Sequence, residues 1–370
     1  MRGGKLERVL RRLESLEFYN QGAPRRLQSA MGRGRVPIRL NVNENLFVPR
    51  EVTIEVARRA AESLDHRLYP DGIGKPLLEK LAGYLGVDEE NIVLGCGCDQ
   101  LVDLLITTIG RGGVCTVQPT YAFYRVRCAL YGVPYRYTFF RDDLSVDVDH
   151  LLALLGSSDM LILCSPNNPT GHKVSREVIE GVAESFDGVV VIDETYAEFS
   201  DEQLHRMPLD FENVIVMRTF SKSFAAAGIR LGYLVAPERI ASVLRRLQMP
   251  YPVPAFSLKY AEILLDMVDY FKAVWDEVRR VRSWFYNVLR SVRVPKFRVF
   301  ESYANFVSVG IDVDGSYIIE ELMQRGYLVR VFPDVLGHKT LVRITLAPKE
   351  ILEGFVGAFL EVLSNAVREN

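Results

Sequence analysis

Two continuous apolar runs in the middle of the chain limit its fold more than any other feature. Val189–Ile192 and Val214–Met217 contain no polar residue, which is typical of strands covered on both faces in a parallel sheet. Further strand-like runs at 91–95, 113–117 and 160–164 alternate with segments of helical periodicity. This alternation predicts an α/β fold with a mainly parallel central sheet and helices on both faces.

The remainder of the chain predicts three parts. Residues 1–46 would form an N-terminal arm that packs with a small domain, 47–250 a large domain, and 251–370 a bridging helix and a smaller α+β domain. Apolar residues recur at helical spacing through 4–17, which predicts a docked amphipathic helix. The same spacing continues from Ser257 to Val292 and predicts one long bridging helix.

Composition argues against several classes of function. The formal net charge is −2, which gives no reason to expect nucleic-acid or membrane binding. No apolar run reaches membrane-spanning length and no signal peptide is recognisable, so we expect a cytoplasmic protein. The five cysteines are odd in number and favour reduced thiols, and no Cys/His cluster completes a zinc site, so no metal is expected.

Polar side chains follow the predicted strands at the point where each strand ends. Asn168 comes after the run at 160–164, Asp193 directly follows Ile192, and Lys222 follows the run that ends at Met217. The carboxyl ends of parallel strands meet at one edge, where open α/β sheets bind their ligands. We therefore expect these three side chains to share one site.

Lys222 stands between two serines in an otherwise apolar neighbourhood. Burial disfavours the ammonium form and lowers the pKa of a lysine, and the neutral amine is the nucleophile that forms a Schiff base. Thr219, Ser221 and Arg230 supply two hydroxyls and a planar cation, which suit a phosphate. The pattern favours a lysine bound to an aldehyde cofactor that carries a phosphate. The alternative is a surface turn with a solvated lysine.

A glycine-containing turn at 95–100 lies between a predicted strand and a predicted helix. The backbone amides of Gly97, Cys98 and Asp99 would lie at the helix N-terminus, which is a common place for a phosphate. Gln100 takes the place of the third glycine of a dinucleotide fingerprint, which disfavours a nicotinamide dehydrogenase.

These strand ends together supply what pyridoxal phosphate requires from a protein. Asp193 would face the pyridine nitrogen and keep it protonated, and Asn168 and Tyr196 would donate hydrogen bonds to the ring oxygen. Tyr121 would stack on the ring or pack as an ordinary aromatic residue. Asp193 could instead be a strand-end cap, Asn168 part of an ordinary turn and Arg230 one half of a surface ion pair. The prediction therefore rests on the occurrence of all these residues together.

Several motifs extend the pattern over nearly the whole chain. Three motifs are typical of one protein superfamily: SPNNPTG at 165–171, IDETY at 192–196, and SKSF at 221–224 followed by Arg230. Four others point to one subgroup of that superfamily: RLNVNEN at 39–45, RLYP at 67–70, LVR at 328–330 and LVRIT at 341–345. With these motifs the chain resembles the fold-type I pyridoxal-phosphate aminotransferases, in the histidinol-phosphate aminotransferase subgroup.

The resemblance implies a homodimer with pyridoxal 5'-phosphate at the subunit interface. It also implies that Lys222, Asp193 and Tyr196 act in catalysis and that Tyr69 reaches the cofactor phosphate of the other subunit. The substrate residues would be Arg343 for a carboxylate, Arg330 for a phosphate, and also Tyr19 and Asn168.

The implied reaction converts L-histidinol phosphate and 2-oxoglutarate to imidazole acetol phosphate and L-glutamate. Its substrates are therefore a phosphorylated amine and a 2-oxo acid. Three alternatives remain: an aromatic or other amino-acid aminotransferase of the same subgroup, a threonine-phosphate decarboxylase, and a catalytically silent cofactor-binding protein. The presence of Lys222 argues against the last of these.

Overall fold

A computed structural model describes residues 3–18 and 36–368 of the protein. The larger of its two sheets has seven strands in the order β2-β8-β7-β6-β5-β3-β4. β8 runs antiparallel to both of its neighbours, and the other strands are parallel to one another. The strands are β2 (Ile92–Gly95), β3 (Val114–Gln118), β4 (Tyr135–Phe139), β5 (Met160–Cys164), β6 (Val189–Asp193), β7 (Val214–Thr219) and β8 (Gly232–Val235).

Helices cover both faces of this sheet, because successive residues of a strand point to opposite faces. Val190 and Ile192 of β6 belong to one apolar cluster, whereas Val191 belongs to another on the opposite face. The first face is covered by the helices Val148–Leu155 and Arg176–Ser185; the second is covered by Gly97–Thr108, Phe123–Tyr131 and Glu238–Leu247.

The smaller sheet has five strands in the order β1-β11-β12-β10-β9. β1 (Ile38–Leu40) comes from the N-terminal part of the chain and pairs in parallel with β11. The remaining pairs are antiparallel, and β10 and β12 are buried along most of their length. The other strands are β9 (Arg298–Phe300), β10 (Phe306–Ile311), β11 (Tyr327–Val335) and β12 (His338–Thr345); the helices of this half are Gly315–Gln324 and Lys349–Arg368.

The predicted bridging helix is wrong as a single element. The structure has one helix at Ala255–Leu265 and a second at Val268–Arg290, separated at Asp266 and Met267. Two further helices, Arg50–Glu62 and Gly74–Leu85, precede the large sheet and pack against Ala255–Leu265. The boundaries 1–46, 47–250 and 251–370 stay a prediction.

The N-terminal helix spans Gly3–Glu14. The prediction that its apolar face is docked is wrong for the described chain, because Leu6, Leu10 and Leu13 are all exposed. Arg125 donates two hydrogen bonds to the Glu17 carboxylate just beyond the helix. In residues 3–18 and 36–368, no helix is both long and apolar enough to cross a membrane.

Candidate active site

A cavity of about 650 Å³ lies where the carboxyl ends of β5, β6 and β7 face the small sheet. The two sheets and the segment between β1 and the first helix of the large half supply its walls. Predicted site residues that line it are Cys98, Asp99, Tyr121, Asn168, Asp193, Tyr196, Thr219, Ser221, Lys222, Arg230, Arg330 and Arg343.

Lys222 lies in the turn that follows β7 and points into this cavity. Its Nζ donates a hydrogen bond to the carbonyl oxygen of Val42 at 2.8 Å. Burial is the main reason that the pKa of Lys222 falls to about 8, and the nearby positive charge of Arg343 lowers it further, while Glu44 and Asp99 act in the opposite direction. A useful fraction of the amine is therefore neutral near physiological pH, as a nucleophile requires.

Asp193 is a buried carboxylate at the end of β6 with donors on both oxygens. Tyr124 Oη donates to Oδ2 at 2.5 Å. Thr195 donates to Oδ1 from its hydroxyl at 2.5 Å and from its backbone amide at 3.1 Å. Burial nevertheless raises the pKa of Asp193, although these hydrogen bonds oppose the rise. A cation next to this carboxylate would relieve the cost of its burial.

The N-terminus of the helix Gly97–Thr108 forms another wall of the site. Arg230 lies against it, with Nη2 2.9 Å from Asp99 Oδ2. Gly97 has a φ of +76°, and a Cβ there would lie 2.7 Å from Arg230 Nη2. A side chain at this position would strain the backbone and displace the guanidinium from the helix amides. Amides and guanidinium together can bind a phosphate.

Two arginines of the small sheet face the cavity from directly opposite positions. Arg330 on β11 pairs with Arg343 on β12 in the antiparallel register. Arg343 donates to Asn168 Oδ1 at 2.5 Å and to the carbonyl oxygen of Asn41 at 2.7 Å. The guanidinium carbons of both arginines lie 5.5 Å from the ring centre of Phe332. This side of the cavity can hold an anionic group of a substrate.

A buried ion cluster lies behind the lysine turn. Arg218 on β7 is fully buried, with a side-chain nitrogen 2.9 Å from Glu194 Oε2 and Nη1 3.5 Å from Glu198 Oε1. Burial raises the pKa of both glutamates, and the charge of Arg218 opposes the rise. The cluster holds the segment after β6 against β7, which carries Lys222 at its end.

Three predicted residues lie apart from the cavity lining. Gly97 acts through the approach of Arg230 described above. Tyr69 is 77% exposed and stacks on Tyr251, with ring centres 5.2 Å apart. Tyr19 lies outside the described residues, as do the neighbouring residues at 20–35.

Sequence reasoning gave no role to the residues between Asn41 and Asn45. Asn41, Val42, Asn43 and Glu44 line the cavity, and carbonyl oxygens of this segment accept hydrogen bonds from Lys222 and Arg343. Their only signal in the sequence is the motif RLNVNEN. Tyr124 and Thr195, which hold Asp193, were also missed.

Comparisons with known proteins identify the family of this chain. Residues 35–359 match the family described as Aminotransferase class I and II. Histidinol-phosphate aminotransferase 2 of Archaeoglobus fulgidus is 33% identical over 330 residues, which cover 88% of this chain and 93% of that relative. Histidinol-phosphate aminotransferase of Thermoanaerobacter sp. is 32% identical over 338 residues, covering 88% and 93%.

The chain belongs to the class I and II aminotransferases. A crystal structure of histidinol-phosphate aminotransferase from Sinorhizobium meliloti in complex with pyridoxal-5'-phosphate superposes on it with a TM-score of 0.82. The two are 25% identical, and the match covers 95% of this chain and 96% of that chain. The predicted family and the predicted fold class are both confirmed.

The donor set of this aminotransferase fits pyridoxal phosphate. A phosphate fits Arg230, Ser221 and the helix amides, and a protonated pyridine nitrogen fits the buried carboxylate of Asp193. The amine of Lys222, with its lowered pKa, fits the aldehyde. Tyr121 also lines the cavity, and its hydroxyl lies 3.2 Å from Asp99 Oδ1.

Proposed function

We propose that this aminotransferase converts L-histidinol phosphate and 2-oxoglutarate to imidazole acetol phosphate and L-glutamate, with pyridoxal phosphate as cofactor. The observation that carries the substrate proposal is the opposed pair Arg330 and Arg343 on neighbouring strands. Two relatives that are named histidinol-phosphate aminotransferase, each more than 30% identical to this chain, support the proposal.

The opposed arginines argue for strongly anionic substrates. Like charges directly opposite each other in an antiparallel pair are destabilising. An anion between or beside the two guanidinium groups removes that repulsion and forms charge-assisted hydrogen bonds. Both proposed substrates meet this requirement, one through its phosphate and the other through its carboxylates. We assign the phosphate to Arg330 and the amino-acid carboxylate to Arg343, with Asn168 beside it.

Six predicted residues would hold the cofactor in this cavity. Lys222 would attach it covalently, Asp193 would pair with its ring nitrogen, and Tyr121 would stack on its ring. Arg230, Ser221 and Thr219 would bind its phosphate, together with the amides of the helix that begins at Gly97. When bound, pyridoxal phosphate supplies an electron sink for a carbanion beside the substrate nitrogen.

The protein itself would supply the proton transfers. Lys222 Nζ, once released by the incoming amine, would take a proton from the substrate carbon and return one to the cofactor carbon. A pKa of about 8 places the amine near the operating pH, where both of its protonation states are accessible. The carbonyl oxygen of Val42 would hold the amine in place within the cavity.

We further propose a cytoplasmic homodimer whose two sites lie at the subunit interface. Four apolar or aromatic residues are exposed on the surface: Leu68, Tyr69, Met249 and Tyr251. Because the rings of Tyr69 and Tyr251 stack, these two segments of the chain lie side by side although they are far apart in sequence. Such a patch supports a protein–protein interface. Tyr69 would then reach the cofactor phosphate of the other subunit.

A half-reaction tests the proposed function. The purified protein, loaded with pyridoxal phosphate, is mixed with L-histidinol phosphate in the absence of a 2-oxo acid. Loss of the visible absorbance, restored by 2-oxoglutarate, is the expected result. Release of carbon dioxide from threonine phosphate, or a visible band that histidinol phosphate leaves unchanged, would overturn the substrate assignment. Lys222→Ala should abolish the cycle, and the exposed-site control Lys296→Ala should not.

A further inference from the structure

Asn43 connects the two sheets at the wall of the cavity. It is 1% exposed and adopts a left-handed backbone conformation with a φ of 57°. Its side-chain Nδ2 lies 2.9 Å from the hydroxyl of Tyr196 on the large half. Its other polar groups bond to Thr345 at the end of β12 and to Asn305 just before β10.

The hydrogen bonds between Asn43 and Thr345 fix the orientation of the asparagine amide. The backbone N–H of Asn43 donates to Thr345 Oγ1 at 3.0 Å, and Thr345 Oγ1 donates in turn to Asn43 Oδ1 at 3.1 Å. If the amide were turned by about 180°, Nδ2 of Asn43 would face Thr345 Oγ1, which would then accept from two donors. Among its contacts in the described chain, the Thr345 hydroxyl would have no acceptor for its own proton. A buried hydroxyl without an acceptor is costly. The side-chain oxygen therefore faces Thr345 and the nitrogen faces Tyr196.

The direction of the next hydrogen bond follows from this orientation. An amide nitrogen can only donate, so Tyr196 Oη must accept from Asn43 Nδ2. The phenol then keeps its own proton for a second partner. Burial raises the pKa of Tyr196, so the hydroxyl stays protonated. Tyr196 lines the cavity, which is where that second partner would lie.

We propose that Thr345 and Asn43 together orient the Tyr196 hydroxyl so that its proton points into the cavity, toward the ring oxygen of the cofactor. Asn43 and Thr345 are positioning residues that act through Tyr196. The inference rests on the proposed function, since it requires bound pyridoxal phosphate. It adds a relay, by which we mean the chain of hydrogen bonds from Thr345 through Asn43 to Tyr196. Thr345 lies on the small sheet, outside the cavity lining.

The relay has a spectroscopic consequence. A donor to the ring oxygen stabilises the negative charge on that oxygen and favours the less protonated form of the bound cofactor. It therefore lowers the pH midpoint of the cofactor's visible absorbance change. Eight charged residues line the cavity with Tyr196, and all of them remain in every variant below: Arg39, Glu44, Asp99, Asp193, Lys222, Arg230, Arg330 and Arg343.

The test compares holoenzyme variants by the pH midpoint of their visible absorbance. In Thr345→Val, the amide of Asn43 is free to rotate, so that Oδ1 accepts the Tyr196 proton and withdraws it from the cavity. The expected result is a midpoint about 1 pH unit higher, because a shift of that size corresponds to the free energy of one hydrogen bond. Thr345→Ser keeps the hydroxyl and should keep the wild-type midpoint.

A second variant covers the case in which Thr345→Val does not fold. Asn43→Gly removes the amide side chain and tolerates the left-handed backbone conformation, and it should also raise the midpoint. Each change is then repeated in a Tyr196→Phe background, where neither should shift the midpoint further. A purely structural role of Asn43 predicts that the shift persists without the Tyr196 hydroxyl, and this outcome would overturn the relay.

The outcomes also separate the relay from the proposed function. If the wild-type protein binds cofactor and responds to histidinol phosphate, but Thr345→Val and Asn43→Gly leave the midpoint unchanged, only the relay is wrong. If the wild-type protein binds no pyridoxal phosphate, both are wrong.

Discussion

Arg330 and Arg343 occupy directly opposite positions on β11 and β12, and the ring of Phe332 lies beside both guanidinium groups. Cation–π contacts with one ring offset part of the repulsion between the two charges. The remaining repulsion favours any ligand that brings negative charge to this side of the cavity. We therefore expect the pair to favour anionic ligands on this side of the cavity.

Removing Arg330 should discriminate between the two substrates. Arg330→Ala is expected to raise KM for histidinol phosphate about 10- to 100-fold, the effect of one charge-assisted contact, and to change KM for glutamate much less. Steady-state kinetics with each substrate measures the difference. Arg298→Ala, in the same sheet but outside the cavity lining, is the matched control. Equal losses for both substrates would count against the assignment of the phosphate to Arg330.

The ionisation of Lys222 should control how fast the cofactor attaches. Only the neutral amine reacts, and the pKa of Lys222 is lowered to about 8, so the rate with cofactor-free protein should rise with pH through about pH 8. Stopped-flow absorbance measures this rate. Arg343→Met removes a positive charge that lowers the pKa and should move the midpoint to higher pH. A wild-type midpoint near the ordinary lysine value of 10.5 would contradict the prediction.

Tyr124 should determine how well Asp193 holds the cofactor. Tyr124→Phe removes the only described donor to Asp193 Oδ2, so the ionised carboxylate loses stabilisation and its pairing with the ring nitrogen weakens. We expect cofactor to dissociate about 10-fold more readily, measured by absorbance after dialysis. Tyr131→Phe changes an exposed tyrosine on the same helix and should have no such effect. Unchanged cofactor retention in Tyr124→Phe would rule out this role.

A side chain at Gly97 should weaken cofactor binding. Its φ of +76° and the 2.7 Å distance from a Cβ to Arg230 Nη2 mean that Gly97→Ala must displace the guanidinium or the helix start. Cofactor affinity should fall at least about 10-fold, because one phosphate contact is lost. Gly83→Ala meets nothing within 4 Å and is the matched control. Equilibrium titration with pyridoxal phosphate compares the two, and equal affinities would place the phosphate elsewhere.

Arg218 should be required for stability in a pH-dependent way. Arg218→Met leaves Glu194 and Glu198 buried without their counter-charge, which should cost about 3–5 kcal/mol of unfolding free energy near pH 8. Without the arginine, the pKa of each folded glutamate rises further above its unfolded value, so the folded state binds protons more readily. The deficit should therefore shrink as the pH falls toward 5.

Urea denaturation at several pH values measures this deficit. Arg280→Met, which breaks an exposed pair with Glu277, should change the unfolding free energy by no more than about 1 kcal/mol at any pH. A deficit in Arg218→Met that does not vary with pH would mean that its origin is lost packing and not unpaired charge.

The fold class and most of the cavity lining could be predicted from local sequence. β6 and β7 each begin with four consecutive apolar residues, and Asp193 and Lys222 lie at or just beyond the strand ends, so strand patterning alone places both at one edge. The bridging helix could not be divided correctly, because the break at Asp266 and Met267 contains neither proline nor glycine and interrupts no apolar periodicity.

The residues that support the site could not be predicted from local sequence. Tyr124 reaches Asp193 across 69 residues of sequence, and Asn43 reaches Thr345 across 302. Neither contact has a local signature, because it depends on which elements the tertiary fold brings together. The N-terminal helix shows the same limit: its amphipathic pattern predicts an apolar face that needs cover, but says nothing about what supplies the cover.

The bond between Asn43 and Thr345 also bears on the order in which the molecule can assemble. Its partners are separated by 302 residues, so the loop between them can close only after β12 has been synthesised. A nascent chain that stops before β12 can already contain Lys222 and the seven-stranded sheet, yet it lacks Arg343 and the hydrogen bonds between Thr345 and Asn43. Lys222 is thus synthesised well before the cavity around it is complete. The last strand of the small sheet completes that cavity, because it carries Arg343.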